Sequence, residues 1–210
     1  MIIKTKPFGP IDTNSYLIIN ENSKEAFLID APIGSYNWAK KLLDEYSCQI
    51  KAVLYTHGHW DHTLDGHLFK EDNVPAFGHS DDKLIFENPE LMSNFLSSEV
   101  SLCGFELDKT IDDSDVIKFA QIEIIVRHVP GHCPGSLLFY IPNKSIAFVG
   151  DSLFYRGVGR CDLPGGSFEE LEKSIKSKIF TLPDETIIYS GHGPSTILHE
   201  EKILNPFIKI

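Results

Sequence analysis

Between Thr56 and His62 the chain reads Thr-His-Gly-His-Trp-Asp-His, so three imidazoles and one carboxylate crowd into the six positions from His57 to His62. A packed core has no use for that density. Neutral imidazole is a donor for zinc and other first-row metals, and a carboxylate also accepts harder cations, so the run reads as a set of metal ligands. A histidine-rich surface loop is the alternative, and it suits a lone histidine better than this cluster. The preceding stretch Ile50 to Thr56 (IKAVLYT) is rich in β-branched and aromatic side chains and reads as a buried strand. The histidines therefore leave a strand end into a loop, where Gly58 gives room for a sharp bend. In such a bend His57 and His59 can face one ion while Asp61 and His62 turn toward a second.

Three later donors stand in glycine-flanked settings, each after an apolar run: His132 in Pro130-Gly131-His132, Asp151 in Val149-Gly150-Asp151, and His192 in Gly191-His192-Gly193. The total of five imidazoles and two carboxylates suffices for two adjacent divalent ions sharing one carboxylate. A single zinc asks for only three protein ligands and an open position, so the count favours two ions. Zinc is the expected metal, and the same donors accept iron or manganese. A water on such a site loses a proton near neutral pH, with a pKa of about 7, which gives a hydroxide held between two metal ions. Its target would be a carbonyl or thioester carbon, and no Ser or Cys nucleophile is required. Asp61 can also orient that hydroxide. Asp30, at the end of a strand expected beside the histidine loop, is placed to accept an N–H from a ligating imidazole, with a plain strand-end turn as the other reading.

The elements that must position these residues are legible from periodicity. Asn14 to Ile19 and Ala26 to Asp30 read as two strands joined by the polar turn Asn20-Glu21-Asn22-Ser23. Ser35 is a candidate cap for a helix with Trp38, Leu42, Leu43 and Tyr46 on one face. A short helix near Leu64 to Phe69, a strand at Val74 to Phe77 and a polar helical region from Asp81 to Ser98 follow the motif. Val116 to Phe119, Ile122 to His128, Leu137 to Ile141 and Ile146 to Val149 then read as closely spaced strands. Ser167 and Glu170 have the spacing of a capping box for a helix with Phe168, Leu171, Ile175 and Ile179 on its apolar face. After Pro183 come a strand at Thr186 to Ser190 and a last helix capped by Ser195 and closed by Pro206. Strands interleaved with helices twice over predict an α+β architecture of two sheets face to face with helices outside.

The 210 residues, 42% of them hydrophobic, suffice for one sizeable core, so a single domain spanning 1–210 is expected. A net charge of −11 and the lack of any Lys/Arg-rich block argue against nucleic acid or an anionic membrane surface as partner. No apolar run is long enough to span a bilayer, and the first residues show no signal-peptide pattern, so a cytoplasmic location is expected. Cys48, Cys103, Cys133 and Cys161 show no CxxC spacing, which fits a reducing compartment. The sequence sets no oligomeric state.

With these residues in view, the chain resembles the metallo-β-lactamase-fold hydrolases, and within them the short glyoxalase II-like branch. His57-Gly58-His59-Trp60-Asp61-His62 matches the HxHxDH motif of that family, and the resemblance runs from about Asn14 to Phe207. It passes through the segments from His128 to Ser136 and from Gly150 to Phe154, and through Gly191-His192-Gly193-Pro194. The resemblance implies an αββα sandwich with two mixed sheets. It further implies that His57, His59 and His132 hold one ion, that Asp61, His62 and His192 hold the other, and that Asp151 bridges them. The activity implied is thioester hydrolysis of the S-lactoylglutathione type, with a small-molecule thioester, a glutathione conjugate among the candidates, as substrate. Asp61 and Asp151 would be the catalytic carboxylates.

Long-form glyoxalase II carries a helical C-terminal domain that supplies glutathione contacts, and no such domain is expected after His192 here. Where the long form has a basic residue followed two positions later by a glutathione-contacting tyrosine, this chain has Arg160 and Asp162. Arg160, and less directly Arg156, are the candidate contacts for an anionic substrate, because a guanidinium suits a carboxylate; for both, an ordinary surface ion pair is the competing reading. Gly159-Arg160-x-Asp162 also resembles the persulfide dioxygenases, which use one iron held by residues matching His57, His132 and Asp151. A metal-binding but non-catalytic protein of the same fold is the third reading. His67, His79, His128 and His199 fall outside the ligand pattern and are expected in surface or core roles, and Cys133 as a small packed thiol.

Overall fold

Alternation along the strands decides which residues fill the interior. The computed structural model describes residues 1–95 and 101–209. Its first half comprises β1 (Ile2–Phe8), β2 (Thr13–Asn20), β3 (Glu25–Ile29), α1 (Ser35–Tyr46), β4 (Gln49–Leu54), α2 (Trp60–Thr63), α3 (Gly66–Glu71), β5 (Ala76–Gly78), α4 (Lys83–Glu87) and β6 (Lys109–Thr110). The strands form one sheet in the order β1-β2-β3-β4-β5-β6, antiparallel as far as β3 and parallel from β3 onward.

The second half comprises β7 (Val116–Phe119), β8 (Ile122–His128), β9 (Leu137–Ile141), β10 (Ile146–Gly150), β11 (Leu153–Phe154), β12 (Gly157–Val158), α5 (Phe168–Ser174), β13 (Ile187–Ser190), β14 (Thr196–Ile197) and α6 (Leu198–Leu204). Here the sheet order is β14-β13-β10-β9-β8-β7, with β10 and β13 parallel and the other pairs antiparallel, while β11 and β12 form a separate antiparallel pair. The predicted two mixed sheets are present.

On β2, Tyr16 and Ile18 face the opposite sheet, where they meet Phe139 and Phe148, while Leu17 and Ile19 face α1 and the aromatic ring of Phe69. On β9 the same period of two sends Leu137, Phe139 and Ile141 between the sheets, and Leu138 and Tyr140 toward Leu171 and Ile175. Each sheet is thus buried on both faces, which makes its central strands continuous apolar runs. At about 1.5–3 kcal/mol for each fully buried large side chain, these three apolar layers are the main stabilising term. They leave the strand ends as rigid mounts for the loops.

Several local expectations are revised. The α1 helix begins at Ser35, but the Ser35 hydroxyl has no partner; the carboxylate of Asp65 instead accepts the N–H groups of Gly34 and Tyr36 at 2.8 and 2.9 Å. The polar region from Asp81 is broken into 3₁₀ turns at Ser80–Asp82 and Pro89–Phe95 flanking the five residues of α4, and its end at residues 96–98 lies outside the described residues. Ser195 caps nothing, because Thr196 and Ile197 form β14 before α6 starts at Leu198. Ser167 does cap α5, accepting the Glu170 N–H at 3.3 Å. β1 was not anticipated: it is a partly exposed edge strand containing Pro7, a residue that a central strand does not tolerate, and its apolar pattern is too weak to read alone.

Candidate metal centre

All seven predicted donors converge at one end of the sandwich, on loops that leave β4, β8, β10 and β13. His57 and His59 follow β4, and the single turn of α2 then carries Asp61 and His62. The carbonyl of His62 is held by the Ala31 N–H at 2.7 Å, which ties the motif to the end of β3. Trp60 packs with Leu64 and Met92 beneath the turn. His132 comes from the loop between β8 and β9, Asp151 directly from β10, and His192 from the end of β13. Gly191 has to lack a side chain, because a Cβ there would lie 2.0 Å from Asp151 Oδ1 and 2.7 Å from the His62 ring.

The donor atoms sit where cations would hold them. His57 Nε2 and His132 Nε2 are 3.2 Å apart; His62 Nε2 is 3.3 Å from both Asp61 Oδ2 and Asp151 Oδ1; His192 Nε2 is 3.3 Å from Asp61 Oδ2 and 3.4 Å from Asp151 Oδ2. Ligands about 2.0–2.1 Å from a tetrahedral cation lie about 3.3–3.4 Å from one another, so these separations match. Asp151 also reaches His132 Nε2 at 3.6 Å, which places its carboxylate against both groups.

Hydrogen bonds at the outer ring nitrogens point the inner ones inward. His132 Nδ1–H donates to the Arg160 carbonyl at 2.7 Å, His192 Nδ1–H to that of Ile11 at 3.0 Å, and His62 Nδ1–H to Asp30 Oδ2 at 2.8 Å. Thr56 gives its hydroxyl proton to Asp30 Oδ2 at 2.8 Å, so at 3.0 Å its oxygen accepts from His57 Nδ1–H. In their neutral forms His57 and His132 then face each other with bare Nε2 lone pairs, an arrangement that repels unless a cation lies between them. Among the described residues, buried His59 Nε2, His62 Nε2 and Asp151 Oδ1 have no hydrogen-bond partner. Buried polar atoms are rarely left so, and a divalent cation answers all of these observations at once. The donor set fits the implied metals.

The electrostatics divide the site. Burial, reinforced by His62, His59 and His132, holds His57 well below the usual imidazole range, and burial with His132 beside it pushes His59 down to about 3. For His62 burial works in the same direction, but Asp61, Asp30 and Asp151 outweigh it and raise the ring well above its usual range. His192 rises to about 10: burial opposes the shift, and hydrogen bonds to Asp151 and Asp61 prevail. Asp61 and Asp151 are correspondingly lowered against the effect of burial, Asp151 strongly, with His62 and His192 as the cause. Without a cation, protons on His62 and His192 compensate the two carboxylates.

The site opens into a cleft of about 380 Å³, whose walls include Ile11, Trp60, Met92, Phe154 and Leu163, with Arg160 the cationic residue among them. Arg160 forms a two-point pair with Asp162, both bonds 2.7 Å, while Arg156 is absent from the lining and is paired with Glu200 and Glu201. Sequence reasoning missed Thr13, whose hydroxyl donates to Asp61 Oδ2 at 2.7 Å, and Asn14, whose amide bonds the carbonyls of Ser190 and Gly193. Both contacts link segments more than 40 positions apart, and no local pattern signals them. Asp30 is the imidazole partner that its strand-end position suggested. Cys133 is a buried thiol, and its pKa is raised by burial and by Asp82.

A separate group, His79, Asp112 and His128, lacks the features of a metal site. The two rings stack at 4.0 Å and 12°, so their in-plane lone pairs cannot converge. His79 Nδ1 accepts the Asp81 N–H, and His128 Nε2–H donates to the Pro134 carbonyl.

Known proteins resemble the chain in sequence and in fold. Residues 8–192 match the model of the Metallo-beta-lactamase superfamily. The chain is 34% identical to the hydroxyacylglutathione hydrolase GloC of Haemophilus influenzae, over 99% of this chain and 98% of that one. It is 31% identical to the human mitochondrial persulfide dioxygenase ETHE1, over 98% of this chain and 75% of that one. Among solved structures, the B3 metallo-beta-lactamase BLEG-1 superposes with a TM-score of 0.91 at 32% identity, covering 99% of both chains. TTHA1623 in a di-iron-bound form superposes with a TM-score of 0.86 at 30% identity, covering 98% of this chain and all of the other. Among the described residues no helix is long and apolar enough to cross a membrane.

Proposed function

The chain belongs to the metallo-beta-lactamase superfamily, and from that footing we propose that it is a dinuclear metal-dependent hydrolase that cleaves a thioester of the hydroxyacylglutathione type. The observation that carries the proposal is the position of Asp151, within 3.3–3.6 Å of His62, His192 and His132 and so against both donor groups at the base of an open cleft. In this reading His57, His59 and His132 hold one ion, Asp61, His62 and His192 the other, and Asp151 both. Zinc is the first choice of metal, with iron supported by the di-iron form of a similar structure.

Two divalent cations bound there would lower the pKa of a water to about 7 and polarise the acyl carbonyl. The chain's own residues do the rest. Asp61, fixed by the Thr13 hydroxyl, lines the cleft and is placed to orient the attacking water and take up its proton. Trp60, Phe154 and Leu163 offer an apolar wall to the acyl group and keep bulk water away from it. Arg160 stands at the cleft wall, where an anionic carrier would meet it, so the leaving thiol is oriented toward that side.

The test is cleavage of S-lactoylglutathione by the purified protein, with and without oxygen. Thiol release at the same rate in both conditions is expected. Oxygen consumption on glutathione persulfide without thioester cleavage would replace this reading by the dioxygenase one, and turnover confined to a chromogenic cephalosporin would shift it to β-lactam hydrolysis.

A further inference from the structure

Asp82 is a fully buried carboxylate that belongs to neither donor group. It accepts the Gly58 N–H on Oδ2 at 2.8 Å, the Gly135 N–H on Oδ1 at 2.7 Å, and the Cys133 S–H at 3.1 Å. Burying a carboxylate among neutral donors is costly, so the position of those donors matters. Gly58 lies between His57 and His59 on the loop after β4. Cys133 and Gly135 follow His132 on the loop after β8. Asp82 therefore joins the two loops, from different sheets, that carry the three histidines of one donor group.

The glycines at both contacts are accounted for by the same carboxylate. A Cβ on Gly135 would lie 2.5 Å from Asp82 Cγ, and one on Gly58 would lie 3.1 Å from Asp82 Cβ. Gly58 does not have a left-handed φ, so its missing side chain serves this approach. A second tie runs alongside. His79, which precedes the turn containing Asp82, accepts the Asp81 N–H at 3.2 Å and stacks on His128, whose Nε2–H holds the Pro134 carbonyl at 2.7 Å.

We infer that Asp82 is a positioning residue for the metal centre: by fixing the loop of His57 and His59 against that of His132, it sets the separation of the three imidazoles and hence their affinity for a cation. The inference rests on the metal-centre reading above. Groups that orient ligands from behind change metal affinity by about 10–100-fold when removed, and a loss in that range is expected here.

The test is titration of the full chain with cobalt(II) against a chromophoric chelator, following both affinity and the visible spectrum of the bound ion, for wild type, Asp82→Ala, Asp82→Asn and Cys133→Ala. Two sites are expected in wild type. Asp82→Ala weakens one of them about 10–100-fold with a changed spectrum, Asp82→Asn, which keeps one acceptor oxygen, lies between, and Cys133→Ala changes affinity only a few-fold. A folded Asp82 variant with wild-type affinity and spectrum would overturn the inference even if its melting temperature fell, since that pattern marks a purely structural role. Should Asp82→Ala not fold, Asp82→Asn decides on the same criterion. Wild type that binds no cobalt would remove the metal-centre reading and this inference with it, a result distinct from an unaffected variant.

Discussion

His57, His59 and His132 on one side of Asp151, and Asp61, His62 and His192 on the other, form two halves of a single site with opposite electrostatics. The first half is buried, and burial and mutual repulsion hold His57 and His59 well below the usual imidazole range. In the second half carboxylates draw protons onto His62 and His192, and the His192 side chain remains one-quarter exposed. His57 and His59 therefore stand ready as neutral donors, whereas the second half must give up protons before it can take a cation. What the two share is Asp151.

Removing the shared group is the strongest way to break this comparison. Asp151→Ala should abolish the distinction between the halves, with metal content falling below two per chain and kcat dropping on the order of 10³-fold. Circular dichroism should still report a folded protein, because the apolar layers do not involve this residue. Full activity with metal bound would contradict the sharing.

Acid should separate the halves next. In the cation-free protein His192 keeps its proton up to about pH 10 and His62 is raised as well, so binding in the carboxylate half must displace at least one proton and weakens as pH falls. The dependence is about tenfold per pH unit for each proton displaced. His59 takes a proton only near about pH 3, and His57 is also well below its usual range, so these two carry no competing proton at neutral pH. Dialysis from about pH 8 to about pH 6, followed by metal analysis, should release the carboxylate-half ion first. Loss of both ions at one pH would break the contrast.

The smallest effects belong to the cleft wall. Arg160 serves the histidine half through its carbonyl, which holds His132, and is part of the cleft wall. Arg160→Ala should leave metal content unchanged and raise KM for an anionic thioester a few-fold. Asp162→Ala, which frees the guanidinium, should lower that KM by at most about fivefold, since an exposed ion pair is worth about 0.2–1 kcal/mol. Equal effects on an uncharged thioester would show that charge recognition is not involved.

These expectations draw on a site whose donors were readable from sequence and whose supports were largely not. The seven donors announced themselves by density and by glycine-flanked strand ends, because ligand chemistry restricts residue type. The central strands were legible for a related reason: burial on both faces imposes continuous apolar runs such as Leu137 to Ile141. Asp65, Thr13 and Asp82 were not legible, since each acts through contacts across 24 or more positions, and an acidic residue in a polar stretch normally faces solvent. Asp82 in particular sat inside what read as a polar helix. The edge strand β1 was hidden for the opposite reason, because its partner β2 supplies the pairing that its own sequence does not advertise.

Whether Asp151 stands between two ions is decided by the metal content of the protein purified without added metal. About two divalent ions per chain is the predicted result, with both halves filled and Asp151 between them. One ion or none per chain, in protein that cleaves the thioester at full rate, would contradict it.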